Sequence, residues 1–262
     1  AVDLLHLASR LNPADRSARI NYVGSLMDTS RYAQAEAEVI DMLARFPEDR
    51  LQNFILAWLN FCHTGETRGM RESADSGFDN VQMENYARWL AARYDGHFDQ
   101  ALAIVEASPG DEFGFFLEPR KLALAQSYFE VSDAEGAAAV ATPLIDQIEN
   151  EIRAEPGGFG VYQFLADAYL YAGQPDEARR AARDYLVATP LSLAAIEYYE
   201  ARLATAKTYA VLGDSEAALE LLSLVQHGPW RECGNALRRD PAFASLLGDP
   251  RFEELAAMSD WK

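Results

Sequence analysis

Apolar and polar positions along this chain recur with the period of an α-helix. The opening run AVDLLHLASRLNP places Leu4, Leu5, Ala8 and Leu11 on one helical stripe. Asn12-Pro13 ends it, because the residue before a proline avoids the α region. Another helical run, AEAEVIDMLARFP, closes the same way at Pro47, 34 residues after Pro13. An interval of that size points to stacked supersecondary units.

The clearest unit runs from Gly158 to Pro190. Its first helix carries Leu165, Ala166 and Tyr169, Gly173 takes the turn, and the second helix carries Ala178, Ala182 and Tyr185. Glycine suits that turn because a positive φ costs it nothing. The pattern alternates in size. Ala166 and Ala178 let two antiparallel helices approach, and Tyr169 and Tyr185 fill the space left against the next unit. The following unit repeats this with Ala206, Tyr209, Gly213, Ala218 and Leu222. Earlier units give Ala125, Tyr128 and Ala137 with Ser132 at the turn; Gly96, Phe98, Ala101 and Val105; and Leu26, Tyr32, Ala35 and Val39.

These units resemble the tetratricopeptide repeat, a helix–turn–helix motif of about 34 residues that stacks into a superhelix. The resemblance covers residues 1–226 and implies an all-α, right-handed α-solenoid of about six antiparallel helix pairs. Its first segment, 1–12, is a lone second helix, and residues 227–262 form C-terminal capping helices. The turns fall at Ser30, Gly65, Gly96, Ser132, Gly173 and Gly213, so the interval varies from 31 to 41 residues. The second unit departs furthest: TGETRGMRESADSGFDN leaves room for one short helix, with Met70 and Ala74 on one face. TPLIDQIENEIRAEP lengthens the second helix of the fourth unit by about two turns. A lone helix at the start leaves an apolar side open, so the natural polypeptide is expected to extend further at its N-terminus; a capping helix is the competing reading. Single-file stacking also implies that residues 1–60 and 200–262 do not meet across a common centre.

Near the end the phrase Asp-Pro-x-Phe-x-x-Leu occurs twice, from Asp240 and from Asp249. In each copy Asp is an N-cap and Pro takes the first helical position, where no N–H is missed. Phe and Leu three apart share a face. Two short helices that drop Phe243, Leu246, Phe252 and Leu255 onto the last repeat would cap the array, with Trp230 and Leu237 added to the same seam. The ending LRRDPAFASLLGDPRFEELAA resembles the C-terminal tetratricopeptide regions of bacterial multidomain signalling proteins, whose N-terminal domains are winged-helix, kinase, cyclase or TolB-like. That implies a sensory or partner-binding module.

Composition narrows the function classes. The net charge is −18, which repels phosphate backbones and anionic lipid heads, so neither nucleic acid nor membrane is an expected partner of this region. No apolar stretch is long enough to cross a bilayer and no signal peptide pattern is seen, so a cytoplasmic location is expected. The two cysteines, Cys62 and Cys233, are far apart and in no paired motif. They read as neither a disulfide framework nor a zinc site; Cys233 reads as an unpaired, core-packed thiol. His6, His97 and His227 are isolated, Cys62 beside His63 lacks the second pair a zinc site needs, and no phosphate-loop, nucleophile-elbow or metalloprotease motif occurs. No catalytic residue, metal or cofactor is expected, and the chain reads as a non-enzyme.

Surface recognition remains. In the tetratricopeptide family the first helix of each pair lines the concave wall, and the resemblance implies which side chains point into it here. They are Tyr86, Arg93 and Tyr94 in the third unit, Gln126 and Phe129 in the fourth, Gln163, Asp167 and Tyr171 in the fifth, and Lys207 in the sixth. Tyrosines beside polar groups suit a peptide or protein partner. The alternative is a small-molecule sensor with its pocket inside the superhelix. Homo-oligomerisation through the open N-terminal helix is a further expectation. Phe113, Phe115 and Phe116 either plug a gap between repeats or form an exposed interface.

Overall fold

A computed structural model describes every residue except 1, 13, 79, 115–117, 155–158, 193–194 and 259–262. The chain is an all-α solenoid. Among the described residues, α1 (Val2–Leu11) precedes six helix pairs. These are α2 (Arg16–Asp28) with α3 (Tyr32–Arg45), α4 (Arg50–Thr64) with α5 (Arg68–Asp75), and α6 (Val81–Tyr94) with α7 (Phe98–Ala107). Then come α8 (Arg120–Glu130) with α9 (Ala134–Ala154), α10 (Phe159–Tyr171) with α11 (Pro175–Ala188), and α12 (Ala195–Val211) with α13 (Ser215–Gln226). α14 (Gly234–Arg239), a 3-10 helix (Pro241–Leu246) and α15 (Pro250–Ala257) follow. A two-residue antiparallel ladder, β1 (Glu112–Phe113) with β2 (Glu118–Pro119), interrupts the connection between α7 and α8.

The turns within the pairs carry the architecture. Ser30, Gly65, Gly96, Ser132, Gly173 and Gly213 all adopt positive φ, between 55° and 79°. Four are glycines, which reach this region without strain, and the two serines hold it against their Cβ. The small-residue positions are fully enclosed: Ala35, Ala101, Ala125, Ala137, Ala178, Ala206 and Ala218 have no accessible surface. Helix backbones meet there, while Tyr169 and Tyr185, both buried, fill the gaps between pairs. Gly69 gives α5 the same closeness to α4, since a Cβ on it would lie 3.3 Å from that of Ala57. Met70 and Ala74 of this short helix are fully buried. α9 is 21 residues long, and Tyr169 of α10 donates to its Glu149 at 2.6 Å.

The C-terminal segment does two things. From Pro241 onward it covers the last pair. Phe243, Phe252 and Leu246 are at most 1% exposed and join Leu203, Leu219 and Leu222 of α12 and α13. Asp240 and Asp249 cap their helices, accepting from the N–H groups of Ala242 and Arg251 at 3.0 and 2.8 Å. The first of these helices is a 3-10 turn rather than an α-helix.

Between Gly228 and Asp240, however, the segment turns back into the interior and crosses to the early repeats. The Arg231 carbonyl accepts from the Tyr32 hydroxyl at 2.6 Å, and the Arg231 N–H donates to Ser30 at 2.9 Å. Asn235 donates to the carbonyls of Cys62 and Phe61 at 3.0 and 3.4 Å. The helix pairs stand in file, as the interval implies, but the expectation that residues 1–60 and 200–262 stay apart fails at these contacts. Cys62 and Cys233 are joined in a disulfide, their Cα atoms 5.6 Å apart. This corrects the reading of Cys233 as an unpaired thiol. The curvature of the solenoid brings together two positions 171 residues apart, and no sequence spacing records that.

Candidate functional site

The concave wall is built by one face of the first helices α6, α8, α10 and α12. A helix packed on both flanks can still point every third or fourth side chain inward, so the wall is set by helical register alone. The structure brings the expected residues together there. Tyr86, Arg93 and Tyr94, then Gln126, then Gln163, Asp167 and Tyr171, then Lys207 all line one interior cavity of about 180 Å³. Phe129 lies just beyond, in an adjoining apolar pocket of about 300 Å³ with Phe98, Val211 and Pro241, and its ring is 5.5 Å from that of Tyr171.

The wall is not an open channel. Asp240 and Ala242 of the chain's own C-terminal segment line the same cavity. Asp240 is the hub of a charged network. Its carboxylate lies 2.8 Å from the Lys207 ammonium and 3.8 Å from the Arg93 guanidinium. Arg93 and Glu130, 6% and 8% exposed, form a forked pair: Nε donates to both carboxylate oxygens at 2.9 and 3.0 Å, and Nη2 to one of them at 2.5 Å. Gln126 adds a donor to Glu130 at 3.2 Å. Arg93 also stands over the Trp89 ring, 4.5 Å from its centroid, and Trp89 is itself fixed by donating to Ser127 at 3.0 Å. Such a guanidinium is held in one rotamer by a fork, a ring and a carboxylate at once.

Protonation follows from these partners. Burial opposes the charge on Asp240, but Lys207 and then Arg93 outweigh it and hold the carboxyl below its ordinary range. Burial likewise opposes the charge on Lys207, and Asp240 first and Glu232 second raise it above its ordinary value. Lys207 keeps 38% of its side chain accessible and lines the cavity. Glu232 is different. Burial pushes its carboxyl up, Lys207 only partly restores it, and Asp240 pushes it further. Burial also raises the Tyr94 and Tyr171 phenols well above their ordinary value, so both stay neutral.

Several residues that shape the site are invisible to helical register. Gln226 is fully buried and ties the segment at its root: it accepts from the Glu232 N–H at 3.0 Å and donates to the carbonyls of Glu232 and Leu255 at 3.1 Å. Ser30, Asn235, Cys62 and Cys233 hold its far end. Asp240 is announced by the doubled phrase, but as a helix cap only. Of the aromatic loop, Phe113 is fully buried against Tyr86 and Trp89; Phe115 and Phe116 lie outside the described residues. Among the histidines, His6 stacks on Tyr22 at 5.0 Å and His227 bonds back to Ser223. Among the described residues no group of His, Cys, Asp and Glu is arranged to hold a metal ion, and no helix is long and apolar enough to cross a membrane.

No protein-family model matches the chain, and no curated protein matches it. Among solved structures it is similar to a tetratricopeptide repeat protein from Parabacteroides merdae ATCC 43184, at 14% identity and TM-score 0.50, covering 99% of this chain and 91% of that one. It is also similar to PilW, described as a widely conserved type IV pilus biogenesis factor, at 16% identity and TM-score 0.46, covering 88% and 97%. At this identity the likeness to the first is one of fold: a helical-repeat solenoid of the tetratricopeptide kind.

Proposed function

We propose that this chain is a non-catalytic interaction scaffold that takes a peptide or protein partner along its concave wall, as the C-terminal module of a larger bacterial signalling or regulatory protein. The observation that carries the reading is the occupant already there. The segment from Arg231 to Ala242 runs through the interior as a peptide would, held by its main chain at Arg231 and by the carboxylate of Asp240 on Lys207 and Arg93. A wall that holds one segment by backbone and carboxylate has the chemistry to hold another of similar character. The tail is then an intramolecular competitor, and partners gain the groove when it withdraws. The larger-protein context rests on the likeness of the doubled Asp-Pro phrase to the endings of such signalling proteins.

Selection of short random peptides on the purified chain tests this. The Cys233→Ser form should enrich peptides bearing an acidic residue, the disulfide-bonded form should enrich far fewer, and Lys207→Glu should abolish the enrichment. The reading is rejected if neither form takes a peptide, or if Lys207→Glu changes nothing.

The interior cavity favours a second reading, a small-molecule sensor. Arg93, Lys207, Gln126 and Gln163 converge on it. Its volume is below the ~300–1,000 Å³ of most small-molecule sites, although the adjoining pocket at Phe129 reaches that range. A metabolite that raises the melting temperature while no peptide binds would favour the sensor. On location, the sequence-based expectation is the cytoplasm, but the buried Cys62–Cys233 disulfide favours an oxidising compartment. Alkylation of the thiols in growing cells separates the two.

A further inference from the structure

The interior cavity and the pocket at Phe129 share Gln126, Tyr171, Val211 and Ala242 in their walls, yet differ in character. Two cations, Arg93 and Lys207, and two carboxylates, Asp167 and Asp240, line the first. Apart from Gln126 and Glu130, the second is walled by apolar and aromatic groups. Tyr171 stands at the junction. Burial first and Asp167 next raise its phenol, so that carboxylate acts close to the junction. The polar groups of the first space keep bonding capacity. Arg93, 6% exposed, directs Nε and Nη2 at Glu130 and Asp240 and makes no hydrogen bond through Nη1 among the described residues. The Lys207 ammonium has three N–H groups and, among the described residues, only Asp240 as a partner. The half-buried Gln163 amide makes no hydrogen bond among the described residues.

We propose that the two spaces together bind a free α-amino acid with an apolar side chain. This rests on the small-molecule reading above and names its ligand. The carboxylate goes to Arg93 Nη1, Lys207 and the Gln163 amide, the ammonium goes to Asp167, and the side chain passes Tyr171 into the Phe129 pocket. Charge selects the zwitterion. A bare anion would add a third negative charge beside Asp167 and Asp240, and a bare cation would face Arg93 and Lys207. A molecule that carries both charges leaves the balance of the walls unchanged. Size agrees, because the cavity of about 180 Å³ and the pocket of about 300 Å³ together reach the ~300–1,000 Å³ of most small-molecule sites. Asp240 and Ala242 belong to the wall, so the bound amino acid also holds the C-terminal segment in place.

Calorimetric titration of the disulfide-bonded chain with L-leucine and L-phenylalanine tests this, beside two leucine analogues that each lack one charge. Isocaproate keeps the carboxylate and the side chain; isoamylamine keeps the ammonium and the side chain. Leucine should bind, and each analogue should bind at least about tenfold more weakly, as expected for the loss of a charge-assisted hydrogen bond. Asp167→Asn should weaken leucine about tenfold and should not weaken isocaproate. Gln163→Ala should weaken leucine about threefold without moving the melting temperature of the free chain. Isocaproate binding as tightly as leucine, or leucine indifferent to Asp167→Asn, would leave a small-molecule site and overturn the amino acid as its ligand. Absence of binding by both amino acids overturns the proposal too, and if a metabolite extract also leaves the melting temperature unmoved, the small-molecule reading falls with it.

Discussion

Asp240 and Asp249 open two copies of one phrase and cap their helices in the same way, yet their surroundings share little. Asp249 sits at the surface, where Arg251, two residues on, folds back to it at 2.9 Å and also meets an exposed Glu216. Asp240 is 7% exposed and adds to its cap an ammonium from α12 and a guanidinium from α6. The local job is written into the phrase; the second job comes from where the chain has been carried. The segment entering Asp249 has already settled on the last pair. The segment entering Asp240 has just crossed the interior, so its cap lies where the first helices converge. A surface pair of the Asp249 kind is weak because water and salt screen it, whereas a buried hub is costly to break because its partners cannot resolvate.

The largest effect should come from releasing that crossing. The disulfide closes a loop of 171 residues, for which the chain-entropy account gives about 5 kcal/mol, an upper figure because that account often overstates the gain. Cys233→Ser should therefore lower the denaturation midpoint further than loss of either aspartate. It should also make Asp240 behave more like Asp249, since the hub loses the tether that delivers it. Urea unfolding of Cys233→Ser and of reduced wild type checks this. An unchanged midpoint would mean that the hydrogen bonds of Arg231 and Asn235 alone hold the segment.

Next comes the direct contrast. Asp240→Ala removes a cap and leaves Lys207 and Arg93 facing each other with one carboxylate fewer, at a cost of about 3 kcal/mol, the low end for a broken buried pair because Lys207 is partly open. Asp249→Ala removes a cap and an exposed pair, and should cost clearly less. Acid sharpens the difference. Asp240 has its pKa depressed in the fold, so its stabilisation is present above the ordinary aspartate value of 3.8 and is lost as pH falls through the depressed one. Glu232 runs the other way. Its pKa is raised above 4.5, so its contribution is fully present below that value and is lost as pH rises through the folded one. Glu232→Gln should therefore flatten the mildly acidic part of the stability profile, and Asp240→Asn the strongly acidic part. Equal losses for the two aspartates would dissolve the distinction.

The same division explains what the sequence makes legible. Six turn positions, the enclosed alanines and the inward faces of four helices all follow from local period, because register decides them within one helix pair. So do both caps. The crossing does not, because a contact between Cys62 and Cys233 depends on curvature accumulated over five repeats, and irregular intervals make that sum unreadable. Register therefore brings the wall positions to one cavity but is silent about the segment that lies in it. Arg93 reads as a residue of the wall, and it lines the cavity. Its fork with Glu130 arises between units and leaves no periodic trace.

The smallest effect lies at the turns, where the identical-role, different-setting comparison recurs without any long-range contact. Ser132 and Gly173 both hold a positive φ, 64° and 72°. A Cβ on Gly173 would meet nothing within 4 Å, so Gly173→Ala is disfavoured by backbone conformation alone, by about 1 kcal/mol. Ser132→Gly should do the reverse. It removes the left-handed penalty but gives the unfolded chain more freedom, and the balance is a gain of about 0.5 kcal/mol, read as a raised urea midpoint. Here the two positions ought to respond as mirror images, since both are set by the local turn and neither by the crossing. A loss of stability in Ser132→Gly would mean that this turn, like Asp240, depends on something beyond its own phrase.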